Sequence, residues 1–154
     1  MNGATRIDGY YQTETSGGGV WCESVNATVT NCALSRNSAS EIGGGVCYGT
    51  LNNCALSGNS AELGGGACYG TLNNCTLSGN SADWGGGAEG STLNNCTLSG
   101  NSASSFGGGA EGSTLKNCIV YYNSAQQGVN FYQSTLSNCC TTPIPSDGTG
   151  NRVV

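Results

Sequence analysis

The chain has 154 residues, a formal net charge of −5 and only 8% charged residues, a length that suits one domain. Four Lys and Arg in all argue against nucleic acid or an anionic membrane as a partner, and the absence of histidine excludes Ser-His, Cys-His and His-metal machinery. No run of about 18 apolar residues exists, so no helical membrane insertion is expected.

Residues 1–16, MNGATRIDGYYQTETS, stand outside the pattern that follows. They read as a partial first coil or an N-terminal cap, with Ile7, Tyr10 and Tyr11 available to cover a first rung. Gly17-Gly18-Gly19 opens the register, and residues 17–142 then repeat one unit. The clearest copy is TLNNCTLSGNSADW from Thr71 to Trp84, followed by Gly85-Gly86-Gly87. Related words begin at Thr28, Thr50, Thr92, Thr114 and Thr135. The cysteines Cys32, Cys54, Cys75, Cys96, Cys118 and Cys139 are 22, 21, 21, 22 and 21 residues apart. A period of 20–22 with short strand-like pieces is a solenoid signature, and the leucine-rich alternative lacks its LxxLxLxxN motif. Residues 143–154 read as a polar C-terminal tail after Pro143 and Pro145 interrupt the last unit.

Side chains alternate across a strand, and this parity assigns the columns. One inward column is Val29, Leu51, Leu72, Leu93, Leu115, Leu136. The six cysteines above form a second, and Leu34, Leu56, Leu77, Leu98, Val120 a third. Ala39, Ala61, Ala82, Ala103 and Ala125 form a fourth; Ile42, Leu63, Trp84 and Phe106 are expected as a fifth. Two asparagine ladders mark the bends: Asn31, Asn53, Asn74, Asn95, Asn117, Asn138, and Asn37, Asn59, Asn80, Asn101, Asn123. A stacked Asn bonds its neighbours and tolerates left-handed backbone, which is a structural task. The fold expected is all-β, a solenoid of about six coils with 21–22 residues per coil.

This repeat resembles those of the right-handed parallel β-helix proteins of the pectate-lyase-like superfamily. The words GGGV or GGGA and LSGN are also similar to the GGA-I and FxxN repeats of polymorphic outer membrane proteins, with leucine in place of phenylalanine. The resemblance covers residues 17 to about 142. It implies the right-handed coil, but the same fold serves lyases, adhesins, tailspikes and passive stalks.

Few residues offer chemistry. Glu41, Glu62 and Asp83 form an acidic row that would suit a hard cation such as calcium, and Glu89 with Glu111 forms another. Stacked carboxylates also raise two-carboxylate glycoside chemistry; a solvated charge row explains them as well. The bases are scattered, Arg36 and Lys116 lying about four coils apart, which disfavours a lyase. The cysteine column reads as small buried hydrophobes, mostly reduced, because parallel inward side chains do not point at one another. Cys47 and Cys68 form a second short column. Thr28, Thr50, Thr71, Thr92, Thr114 and Thr135 make an outward row resembling the ice-binding faces of β-solenoid antifreeze proteins, although high strand propensity also explains them. A polysaccharide face using Tyr48 and Tyr69 is comparable.

These residues lead us to expect a non-catalytic rigid spacer or adhesin-type segment of an extracellular or cell-surface protein, requiring no cofactor. Its expected partners are a second copy stacked end to end, giving filaments, or adjacent domains of a longer parent chain. A binding module for ice or carbohydrate is the alternative, and a polysaccharide-degrading enzyme the third reading.

Overall fold

The computed structural model describes residues 15–146 and 148–153. The expected N-terminal coil or cap at residues 1–16 therefore lies outside the described residues, apart from Thr15 and Ser16. Every described element is a short strand or turn, and all strand pairings are parallel. Three six-stranded sheets form the faces of a β-solenoid, six rungs making about five full turns.

Each rung contributes one strand to each face. The first face stacks Val20–Trp21, Val46–Cys47, Ala67–Cys68, Ala88–Glu89, Ala110–Glu111 and Phe131–Tyr132. The second stacks Thr28–Thr30, Thr50–Asn52, Thr71–Asn73, Thr92–Asn94, Thr114–Lys116 and Thr135–Ser137. The third stacks Ala33–Ser35, Ala55–Ser57, Thr76–Ser78, Thr97–Ser99, Ile119–Tyr121 and Cys140–Thr141. A two-stranded sheet, Ser81–Trp84 against Ser102–Phe106, closes one corner of the middle rungs.

The bends follow the sequence locally. Asn31, Asn53, Asn74, Asn95, Asn117 and Asn138 all have positive φ, between 51° and 55°, and turn the second face into the third. Asparagine tolerates this left-handed region because its short polar side chain bonds locally. The next bend is carried by Gly58, Gly79 and Gly100, with Arg36 and Tyr122 in the same conformation. The inner ladder of Asn37, Asn59, Asn80, Asn101 and Asn123 comes one residue later. It does not share the left-handed backbone expected of it; it is buried.

The interior is filled as parity required, with three corrections, the first being the alanine column, in which Ala39 and Ala103 are buried but Ala61, Ala82 and Ala125 are only half-buried at their corner. The leucine columns are fully buried from the second rung on: Leu51, Leu72, Leu93, Leu115 and Leu136 in one, Leu56, Leu77, Leu98 and Val120 in the other. Their first-rung members Val29 and Leu34 are only partly covered. Cys54, Cys75, Cys96, Cys118 and Cys139 are buried, but Cys32, in the first rung, is exposed. Ile42, Leu63, Trp84 and Phe106 are not a core column; Trp84 is 44% exposed. The interior there is already occupied by Val46, Ala67, Ala88 and Ala110, each with no exposed surface, so the residues before the glycines face outward. The triple glycine fits between these layers. A Cβ on its middle member, Gly86, would run into the Ser102 and Gly108 carbonyls.

The cysteine column is a hydrogen-bonded ladder rather than a stack of methyl-sized fillers. The backbone N–H of Cys54, Cys75, Cys96 and Cys118 donates to the next cysteine's Sγ at 3.4–3.5 Å. The thiols in turn lie 3.4–3.7 Å from the Leu51, Leu72, Leu93 and Leu115 carbonyls of the rung before. All ten cysteines are free; burial raises the Cys54 thiol above its ordinary range, whereas the hydrogen bond with Cys96 lowers Cys75 to about 7. The inner asparagine ladder is tighter. Backbone N–H and Nδ2 of Asn37, Asn59, Asn80 and Asn101 both donate to the next Oδ1 at 2.9–3.0 Å.

Both ladders end on an asparagine drawn from another position. Asn130 stands where earlier rungs have their third glycine, its carbonyl accepting from Gly109. Its Oδ1 takes both Asn123 donors at 3.1 Å, and its Nδ2 donates to the Thr142 carbonyl. Asn151 completes the cysteine ladder: Oδ1 accepts the Cys139 N–H at 2.9 Å, and Nδ2 donates to the Leu136 carbonyl at 2.8 Å. An amide thus performs both tasks of a thiol one rung earlier. Thr149 accepts the Asn138 N–H, and Arg152 bridges Cys140. Residues 148–153, expected as a tail, therefore cover the last rung on its second and third faces.

Candidate functional site

The threonine row is in strict register, Thr28 to Thr50, Thr71, Thr92, Thr114 and Thr135. Thr50 and Thr71 are half-buried and the others exposed. Beside it Asn52, Asn73 and Asn94 bond to one another at 3.0 Å, and Lys116 interrupts that row. The second face is thus polar and regular, with much of its hydrogen-bonding capacity turned inward along the row. The outer asparagine ladder bonds at its first and fourth steps, Asn53 to Asn31 at 3.3 Å and Asn117 to Asn95 at 3.1 Å.

Glu41, Glu62 and Asp83 follow one another along the corner before the glycines, where Leu63 N–H donates to Glu41 O and Asp83 N–H to Glu62 O. Asp83 is exposed and accepts from Ser104 Oγ at 2.6 Å. A shallow hollow of about 280 Å³ lies between Glu41, Ile42, Glu62 and Leu63. Among the described residues no three Cys, Asp or Glu come together as a metal-holding group.

The first face is different. Its outward column reads Trp21, Cys47, Cys68, Glu89, Glu111, Tyr132, in register. Glycines border it on one side. A Cβ on Gly85 or Gly107 would come within 2.8 and 2.9 Å of the Glu89 and Glu111 Cβ atoms. Just before those glycines stand Trp84 and Phe106, ring centroids 5.2 Å apart, and Phe106 lies 4.7 Å from Tyr132. On the other side Tyr48 and Tyr69 stack at 5.8 Å, and the next two rungs carry Gly90 and Gly112. The Tyr69 ring lies over Gly90, while nothing stands within 4 Å of a Cβ on Gly112. The result is a trough whose floor is the two carboxylates and whose nearer wall is aromatic, while the Cys47 and Cys68 thiols are fully covered.

The electrostatics are unbalanced. Cys68 Sγ donates to Glu89 Oε2 at 3.0 Å. The Cys68 thiol is raised by its hydrogen bond with Cys47, by burial and by Glu89, and so stays protonated. Burial, then the Glu89 charge, pushes the Tyr69 hydroxyl up to about 12. Glu111 is 7% exposed, and its carboxylate accepts no hydrogen bond among the described residues. Burial and then the like charge of Glu89 raise its pKa. The described cations stand elsewhere: Lys116 on the second face, Arg36 at the bend after the first-rung third-face strand, and Arg152 over Cys140. Glu89 and Glu111 leave the same face of one sheet side by side.

The sequence placed Glu89 beside Glu111, Cys47 beside Cys68 and Tyr48 beside Tyr69. It did not place these pairs together, or Trp84, Phe106 and Tyr132 beside the acids. The available signal was the glycine on either side of each acid, which leaves the flanking columns nothing to interpose. No family model matches the chain, and neither does any curated protein or solved structure.

Proposed function

We propose that the chain is a non-catalytic structural solenoid, a rigid spacer or adhesin-type segment of an extracellular or cell-surface protein. What supports this most is the commitment of its repeated polar residues to the scaffold itself: two ladders, one of thiols and one of amides, run through successive rungs and end on Asn151 and Asn130. Ladders of this kind order a rod along its length. The likeness to right-handed pectate-lyase-like and polymorphic outer membrane protein repeats agrees with this reading. Nine cysteines are buried or half-buried, which shields their thiols from oxidants outside a cell.

End-to-end stacking would have to displace residues 148–153, which cover the last rung on two faces. The test is threefold: light scattering over a wide concentration range, the same on a chain lacking residues 148–154, and reducing-end release from acidic and neutral polysaccharides with calcium. We expect rods that do not grow into filaments, concentration-dependent association only after truncation, and no cleavage. Calcium-dependent cleavage lost in Glu62→Gln would overturn the reading. The register of the threonine row supports a second reading, a face for ice or polysaccharide; thermal hysteresis or glycan binding abolished by Thr71→Leu would put it first.

A further inference from the structure

We propose that the outer trough of the first face, with Glu89 and Glu111 as its floor, Trp84 and Phe106 as its wall and Tyr132 closing its end, binds an organic cation, a guanidinium or alkylammonium group. The scaffold reading stands or falls without it.

Three independent observations converge. The first is Glu111, a residue more than nine-tenths buried whose carboxylate has neither a hydrogen-bond donor nor a cation among the described residues. A buried charge is ordinarily paired, because desolvation without a partner is costly. Cys68 supplies one donor to Glu89 and none to Glu111. The second is the register. Glu89 and Glu111 are direct partners on adjacent parallel strands, about 4.8 Å apart. Like charges at that spacing repel, so the pair favours whatever positive group sits over both. The third is the wall. Trp84 and Phe106 run beside the two acids with ring centroids 5.2 Å apart, and Tyr132, next after Glu111 in the acids' own column, lies 4.7 Å from Phe106. Gly85 and Gly107 remove any side chain between wall and floor, and Gly112 leaves the opposite side open.

The wall selects the kind of cation. A calcium ion needs six to eight oxygens, and two carboxylates beside aromatic rings do not supply them. A weakly hydrated organic cation gains from a ring face and from a carboxylate together. A guanidinium fits best, since its planar fork matches two carboxylates while its face lies on a ring. The same chemistry arrives as a free small molecule or as an Arg or Lys side chain of a peptide.

The test uses the whole chain, isotope-labelled, with the carboxylate carbons of Glu89 and Glu111 and the Trp84 indole followed by NMR. Methylguanidinium chloride, N-acetyl-Gly-Arg-Gly-amide and calcium chloride are titrated at matched ionic strength. Saturable shifts of both carboxylates and the indole with methylguanidinium, but not with calcium, are expected. Glu111→Gln should weaken that binding at least tenfold, and Trp84→Ala about threefold, the scale of an exposed cation–π contact. A response to the peptide as well as to methylguanidinium assigns the site to a side chain of a partner; a response to methylguanidinium alone assigns it to a free cation. The absence of any saturable shift in the unaltered chain, an equal response to calcium, or unchanged binding in folded Glu111→Gln would overturn the proposal.

Discussion

The second and first faces are built from strands of similar length, paired in the same parallel register, yet their outward columns are filled by different rules. On the second face one position is threonine in all six rungs, Thr28 to Thr135. On the first face the equivalent outward position is Trp21, then Cys47, Cys68, Glu89, Glu111 and Tyr132. Stacking like on like stabilises a parallel sheet, because identical side chains meet with one geometry at every step. A column of that kind is explained by the scaffold alone. A column that sets a carboxylate on a thiol and a tyrosine on a carboxylate gains little from stacking, and its two adjacent acids oppose it. Regularity thus marks the residues that hold the rod, and the variable column marks the surface free to do something else.

Substitutions sharpen this contrast, beginning with what both faces share. Gly86→Ala should be the most damaging, costing about 3 kcal/mol or more, because its Cβ meets backbone carbonyls that cannot withdraw. Urea unfolding that shifted by less than about 1 kcal/mol would show that the rungs spread more readily than close packing allows. Asn80→Ala comes next. It removes the acceptor of two Asn59 donors and the donor to Leu56 O, and should cost about 2–3 kcal/mol. Cys96→Ala in the parallel ladder should cost less, about 1–2 kcal/mol, with Cys96→Ser recovering part of it, since a thiol is a weaker donor and acceptor than an amide.

Smallest, and opposite in sign, is Glu111→Gln. Glu111 has a raised pKa when folded, so the folded state holds its proton more tightly than the unfolded chain. The resulting stability is present below the ordinary glutamate value and is lost as pH rises through the raised one. Unfolding followed against pH should therefore show the unaltered protein losing stability across that window, and Glu111→Gln showing a shallower loss and a slight gain at neutral pH. An identical pH profile for the two would mean that the acidic floor carries no electrostatic strain.

Much of the scaffold was legible in the sequence because it rests on two short-range rules, alternation along a strand and repetition every 21 or 22 residues. Those rules placed the leucine, cysteine and asparagine columns. They failed where side-chain size, rather than parity, decided the outcome. Ile42, Leu63, Trp84 and Phe106 look like core residues, but Val46 and the alanines Ala67, Ala88 and Ala110 on the far side of the glycines had already filled the interior. They failed again at the last rung. Asn130 and Asn151 act from positions that no repeat alignment equates with the ladders they complete, and only the folded path brings them there. The trough was illegible for a related reason: its floor and wall belong to columns separated by glycines, and a missing side chain leaves no mark in a hydrophobicity pattern.

The amide that stands in for a thiol at Asn151 bears on how such a chain changes length over evolutionary time. Its Oδ1 and Nδ2 meet only the Cys139 N–H and the Leu136 carbonyl, groups that every internal unit offers in the same places. The terminus therefore does not register how many units precede it. Duplicating or deleting a whole unit such as Thr71 to Ser91 would present the same docking geometry to the same closing segment. A gene lineage is thus free to lengthen or shorten the rod by unequal exchange between its own near-identical words, provided each exchange is a complete turn and the closing segment is left intact.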